Sequence, residues 1–142
     1  MNDPFDLQRF VDAQAPVFGD VRAELAAGAK TSHWMWFVFP QLAALGHSRT
    51  ARRFGIGSRD EAVAYWHHPV LGARLKECAG LVLAVQGRSA LQIFGAIDEM
   101  KLRSCMTLFA QVAPREPVFA RVLDRYFGGQ ADSLTLELLR AG

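Results

Sequence analysis

Residues 58–82 read SRDEAVAYWHHPVLGARLKECAGLV, from Ser58 to Val82, and their punctuation is that of two consecutive helices. Ser58 followed three residues later by Glu61 has capping-box spacing, in which each side chain satisfies the other residue's backbone N–H. A helix is therefore expected from about Arg59 to His67. Proline disfavours helical backbone at the residue before it, so His68 falls at a break. Pro69 then opens a second helix, with Val70, Leu71, Leu75, Cys78, Leu81 and Val82 on its inner side.

The same punctuation recurs on both sides. Upstream, Asp3-Pro4 suggests a helix start, with Phe5, Leu7, Phe10 and Val11 as its apolar stripe. Pro16 fits the first turn of the next helix, where Val17, Val21 and Leu25 repeat at four-residue spacing, and Gly28 ends it near Lys30. Downstream, Ser89 with Gln92 repeats the capping pattern before a short turn ending near Gly95. Asp98 can cap the helix that supplies Ile97, Met100, Leu102, Met106, Phe109 and Val112 as core candidates. Pro117 opens a penultimate helix that Gly128 stops, and Asp132 starts a final one through Leu134, Leu136, Leu138 and Leu139. Alternation of Val, Ile and Thr is nearly absent, and the one ambiguous run is Trp36 to Phe39. The expectation is an all-α fold, a compact orthogonal domain of roughly six to eight helices over residues 1–142, with no significant sheet.

Composition removes several classes of function. A chain of 142 residues can build one sizeable core, and an apolar fraction of 51% excludes disorder. No apolar run approaches the roughly 20 residues that cross a bilayer, so no membrane partner is expected. The opening Met-Asn-Asp-Pro-Phe-Asp lacks the basic start and apolar stretch of a signal peptide, which makes cytoplasm the expected compartment. Cys78 and Cys105 lie in apolar helical patterns outside any CxxC pair. They read as small buried hydrophobes, with a catalytic thiol or a disulfide as the alternatives. A net charge of +2 gives no strong nucleic-acid signal. His47, Arg49, Arg52, Arg53 and Arg59 still gather positive charge, with Lys30 ahead of them, as a solvated surface or a complement to phosphate. The four histidines and two cysteines lack HExxH or CxxC spacing, so no metal is expected. Gly55-Ile56-Gly57-Ser58 lacks the third glycine and preceding strand of a dinucleotide fingerprint, and no cofactor is expected.

Three segments carry more polar and aromatic chemistry than packing needs. In the first, Lys30 to Gln41, two Trp and two Phe fall within six residues, bracketed by Ser32 and His33 before and Gln41 after. Aromatic walls with a few fixed polar groups, here Trp34 and Trp36, make small-molecule pockets. They equally make a core whose indole N–H groups need partners. His33 suits acid–base work or a bond to sugar or phosphate, or else a neutral imidazole tied to a carbonyl. In the second, Tyr65 to Leu75, the break at His68 exposes N–H groups at a helix start where an anion can dock. Gly72 allows close approach of a backbone or ligand. Arg74 offers a bidentate grip on carboxylate or phosphate; alternatively it ties a corner to Asp98 or Glu99. In the third, Phe94 to Met106, Lys101 lies one turn beyond Asp98, with Ser104 on the same face. Carboxylate, ammonium and hydroxyl there could be catalytic or merely solvated.

The order KTSHWMWFVFPQL (30–42), SRDEAVAYWHHPVLGARLKEC (58–78) and IFGAIDEMKLRSCMTLF (93–109) closely resembles domain-of-unknown-function family 1810 (DUF1810). NDPFDLQRFVDAQ (2–14) and RYFGGQADSLTLELL (125–139) look like that family too, so the likeness covers nearly the whole chain. It implies an all-helical monomeric domain of six or more helices and no established activity. Members often carry the label "calpastatin", but calpain inhibitors are disordered and poor in apolar residues, unlike this chain. KLRSCMTLFAQ (101–111) also has a distant likeness to the NADAR (YbiA-like) helical proteins, which are linked to N-glycosidic chemistry on ribose phosphates and ADP-ribose adducts. Their glutamate-histidine-tyrosine segment is absent here, with His33-Trp34 at best in an analogous place.

Two functional expectations follow. One is a binding protein or N-glycosidase-type hydrolase for a phosphorylated, nucleotide- or ADP-ribose-like small molecule. Its catalytic candidates are His33, Asp98 and Lys101, and its ligand-binding candidates Lys30, Ser32, Trp34, Trp36, Gln41, Tyr65, His68, Arg74 and Ser104. The other is a non-catalytic protein-interaction domain in which those polar residues tie helix junctions together.

Overall fold

A computed structural model describes residues 2–142. Among them the chain forms ten α-helices: α1 (Gln8–Gln14), α2 (Phe18–Ala27), α3 (Met35–Val38), α4 (Arg49–Arg53), α5 (Arg59–His67), α6 (Leu71–Ala84), α7 (Ala90–Phe94), α8 (Ala96–Val112), α9 (Val118–Phe127) and α10 (Ser133–Ala141). A single 3₁₀ turn spans Ala43–Leu45. The all-α expectation holds, but six to eight helices was an undercount. The excess comes from α3, α4 and α7, helices of four, five and five residues, too short to show a full apolar period. The ambiguous aromatic run is helical as α3. The described residues contain no strand, only one isolated parallel bridge between Leu42 and Ile56.

The cap residues act through the chemistry their spacing implies. Ser89 and Gln92 form a reciprocal capping box at α7, and the Asp132 carboxylate accepts from Thr135 N–H at the head of α10. Ser58 accepts from Glu61 N–H at α5, but the box is not closed. The Glu61 carboxylate accepts from Gly57 N–H at 2.9 Å and pairs with Arg9 at 2.8 Å instead. At two helix starts the expected capping carboxylate acts differently. Asp3 accepts from Leu7 and Gln8 N–H, so α1 opens at Gln8, and Asp3 caps it from a distance. Asp98 does not cap α8; Gly95 occupies that position, and the carboxylate turns to Lys30.

Helix α8 lies at the centre, against α5, α7, α9 and α10, while α6 packs on α2, α5 and α9. A relay of rings crosses the interior. Phe10 meets Tyr65 edge-on at 5.1 Å, Tyr65 meets Phe109 at 5.4 Å, and Phe109 meets Phe119 at 5.9 Å. Offset and edge contacts of this kind suit aromatic quadrupoles. Cys78 and Cys105 are both buried and unbridged. Among the described residues no helix is long and apolar enough to cross a membrane.

Candidate functional site

The first wall of the site is the turn after α2. Gly28 ends that helix in the left-handed conformation, φ 69°, and the chain folds back so that Lys30 N–H donates to the Ile93 carbonyl at 2.9 Å. The turn then wraps around one carboxylate. Glu24 accepts from Thr31 N–H at 2.7 Å, Ser32 N–H at 2.9 Å, the Ser32 hydroxyl, and the Trp34 indole N–H at 3.0 Å. Burial alone would raise the Glu24 carboxyl; these four donors outweigh it and hold the pKa down at about 2. So fixed, the turn presents Lys30. Its ammonium pairs with Asp98 at 2.8 Å, donates to the Ser32 carbonyl at 2.6 Å and lies 5.0 Å from the centre of the Trp34 ring.

The second wall is the corner between α7 and α8. Gly95 sits there at φ 85°, ψ 167°, a region essentially reserved for glycine. The sharp turn sets the first two turns of α8 against the aromatic segment. Lys101 Nζ stands 4.6 Å from the centre of the Trp36 ring and 3.9 Å from Asp98, close enough for cation–π attraction but beyond a hydrogen bond to the carboxylate. Together these walls enclose an open hollow of about 460 Å³. Lys30, His33, Trp36, Asp98 and Lys101 line it, with Met35, Phe94 and Ile97 as apolar floor and rim.

Five of the residues singled out from sequence thus meet in one place, drawn from two of the three segments. Gln41 and Ser104 line an adjoining hollow of about 300 Å³, which shares Ile97 and Lys101 with the first. The rest lie elsewhere. Ser32 and Trp34 are bound to Glu24, and Trp34 is buried behind the wall. Tyr65 is sealed in the core with its hydroxyl accepting from Gln14 at 3.1 Å. His68 Nδ1 accepts from Val70 and Leu71 N–H at 3.1 and 3.2 Å, so the imidazole itself occupies the anion position at the start of α6. Arg74 stacks on Phe18 at 4.9 Å and donates to Gln14 Oε1 at 3.3 Å, not to Asp98 or Glu99. Gly72 admits a backbone rather than a ligand, since a Cβ there would stand 2.0 Å from the Trp66 carbonyl oxygen.

Two ammonium groups face one carboxylate, an excess of one positive charge on the lining. Lys30 and Asp98 pair at 2.8 Å, and Lys101 stands farther from the same carboxylate, at 3.9 Å. His33 is exposed, and no described residue hydrogen-bonds to its ring. A general base ordinarily has a second group to orient it, and here none is in place. No group of three His, Cys, Asp or Glu able to hold a metal ion occurs among the described residues. Glu24 and Gln14, which organise the turn and the core, escaped the sequence reading. Glu24's partners lie seven to ten residues away, at no motif spacing.

The family model described as "Protein of unknown function (DUF1810)" matches residues 4–139. The chain is also similar to a conserved hypothetical protein from Mycobacterium tuberculosis, known from a crystal structure. The two are 56% identical over 97% of this chain and 99% of that one, with a TM-score of 0.96. No curated protein matches the chain.

Proposed function

Because this chain belongs to the DUF1810 family, to which no activity is attached, we propose from the hollow itself that it binds a phosphorylated, nucleotide-like small molecule. One observation carries the reading: Lys30, His33 and Trp36 from one segment and Asp98 and Lys101 from another, distant in sequence, line the same open hollow. The phosphate sits at Lys101 with His33 beside it, since an ammonium on a side chain only 19% exposed attracts an anion more strongly than one in bulk water. The ring of the ligand stacks on Trp36, and a ribose hydroxyl donates to Asp98. An N-glycosidic hydrolysis at this place would fall to Asp98, with water adding at the sugar carbon and the leaving base taking the proton. Binding without chemistry is the stronger form, because the carboxylate is paired with Lys30 and the imidazole is unheld. The same reading takes the protein as a cytoplasmic monomer.

Calorimetry with AMP and ADP-ribose tests it. Wild type should give measurable heat, and Lys101→Ala should weaken affinity about tenfold or more, equivalent to at least about 1.4 kcal/mol. The absence of heat from every nucleotide-like ligand overturns it.

A second reading, a non-catalytic protein-interaction domain, draws on a different observation. Ile97, Met100 and Leu134, which line the same hollow, are exposed by 73%, 68% and 49%, and contiguous exposed apolar surface marks interfaces. On that reading Lys101→Ala changes no small-molecule affinity, because there is none to change.

A further inference from the structure

We propose that the ligand is two-armed: a pyrophosphate-bridged nucleotide whose bridge rests on Lys101 and whose second, uncharged arm fills the adjoining hollow. The proposal builds on the nucleotide-like reading of the first hollow and adds the shape of the ligand. Ile97 and Lys101 are four residues apart on α8, hence on one face, and both line both hollows. They form a low divide between two basins of about 460 and 300 Å³, each of a size that takes part of a ligand. A molecule confined to one basin leaves the other empty; one with two arms crosses the divide.

Charge places the bridge. On one side of Lys101 stands Asp98, on the other Asp132. Lys30 is paired with Asp98 at 2.8 Å, while Lys101 stands 3.9 Å from the same carboxylate, too far for a hydrogen bond, so the divide is where an anion meets ammonium donors that the carboxylate does not engage. Within the second hollow the Asp132 carboxylate repels phosphate, and an uncharged arm is required. That arm has hydrogen-bonding partners waiting. Asp132 Oδ2 accepts all three internal bonds, from the Ser104 hydroxyl at 3.1 Å, the Thr135 N–H at 3.1 Å and the Thr135 hydroxyl. Oδ1 accepts none among the described residues. No buried side-chain nitrogen or oxygen among those residues lacks a partner, so Oδ1, being unpartnered, is open to solvent. A ligand hydroxyl can donate to it, and the Gln41 amide on the same wall offers donor and acceptor together. Leu45, Ile97, Met100 and Leu134 supply the apolar part of the wall, and Met100 and Leu134 are exposed by 68% and 49%. Their exposure has a ready account if a sugar face or base plane covers them.

The experiment compares AMP with ADP-ribose, whose second arm is an uncharged ribose, on wild type, Leu134→Glu and Lys101→Ala. Leu134 is half exposed at the head of α10, so a charge there leaves the fold intact, which a thermal melt verifies. ADP-ribose should bind at least tenfold tighter than AMP to the wild type. Leu134→Glu should bring ADP-ribose down to the AMP affinity while leaving AMP unchanged, and Lys101→Ala should weaken both. Equal affinity for ADP-ribose and AMP overturns the two-armed ligand and spares the one-hollow reading. An equal loss of both ligands in Leu134→Glu also overturns it, since the second hollow would then not be a separate subsite. Binding of neither overturns both.

Discussion

A carboxylate that accepts four donors from a single turn cannot become an amide without setting donor against donor. Glu24 holds Thr31, Ser32 and Trp34 in this way, and through them the position of Lys30. Glu24→Gln should lower stability near neutrality by about 1–3 kcal/mol, the usual loss when bonds to a charged acceptor are broken. The pH dependence follows from the depressed carboxyl, about 2 in the fold against 4.5 when free. A group with its pKa lowered on folding stabilises fully above its free value. That contribution disappears as pH falls from about 4.5 toward 2. Urea midpoints of wild type and variant should therefore converge over this window. A gap that stays constant down to pH 2 would mean that the charge contributes nothing. His68 makes a comparable point at α6, where its ring nitrogen accepts two backbone N–H bonds. His68→Ala should cost about 1 kcal/mol in the same assay, as helix-cap losses do, and His68→Asn should restore most of it.

Helix ends with a chemical signature were legible in the sequence: Ser58, Ser89 and Asp132 cap, Gly28 and Gly128 terminate. Helices α3 and α4 were not, because tertiary contact rather than periodicity stabilises so short a piece. The site shows the same division. Lys30, His33, Trp36, Asp98 and Lys101 stood out as polar and aromatic groups near helix breaks. So did Tyr65, His68 and Arg74, which the fold engages elsewhere. Residue type and spacing are alike in both sets; Gln14, distant in sequence, draws Tyr65 and Arg74 away, and the backbone of its own corner holds His68, neither of which residue type or spacing reports. Gly95 tests how far the site depends on an element junction. A Cβ built there meets nothing within 4 Å, so the cost of Gly95→Ala lies in the backbone at φ 85° and should be about 1–3 kcal/mol. Relief of that strain swings α8 relative to α7, and nucleotide affinity should fall more than it does in an equally destabilised control. Gly72→Ala supplies the control, since its Cβ would press on the Trp66 carbonyl at the α5–α6 corner, which lines neither hollow. Equal affinities in the two variants would show that the corner at Gly95 does not shape the site.

At the scale of the whole molecule, the core contains three groups that resist ionisation. Burial pushes the Cys78 thiol from 9.0 up to about 12 and raises Cys105 and Tyr65 well above their ordinary ranges. Each sits in dry interior, on α6, α8 and α5 respectively, so ionising any one requires the packing between helices to open. Two consequences are measurable. A pKa raised on folding stabilises fully below the free value and less as pH climbs past it, so stability should decline from about pH 9 toward 12. In Cys78→Ala, compared with its own stability at pH 8, that decline should be shallower, because one of the groups that must ionise is gone. The thiolate is also the reactive species, so neither cysteine should react with an aromatic disulfide reagent at pH 8 in the native state. When reaction does occur, both thiols should label together, at a rate that rises with urea in step with global unfolding, as expected when the protective packing is one cooperative unit. Rapid labelling of Cys78 alone would refute this. It would mean that α6 separates from α2 and α9 while the ring relay through Tyr65, Phe109 and Phe119 stays closed.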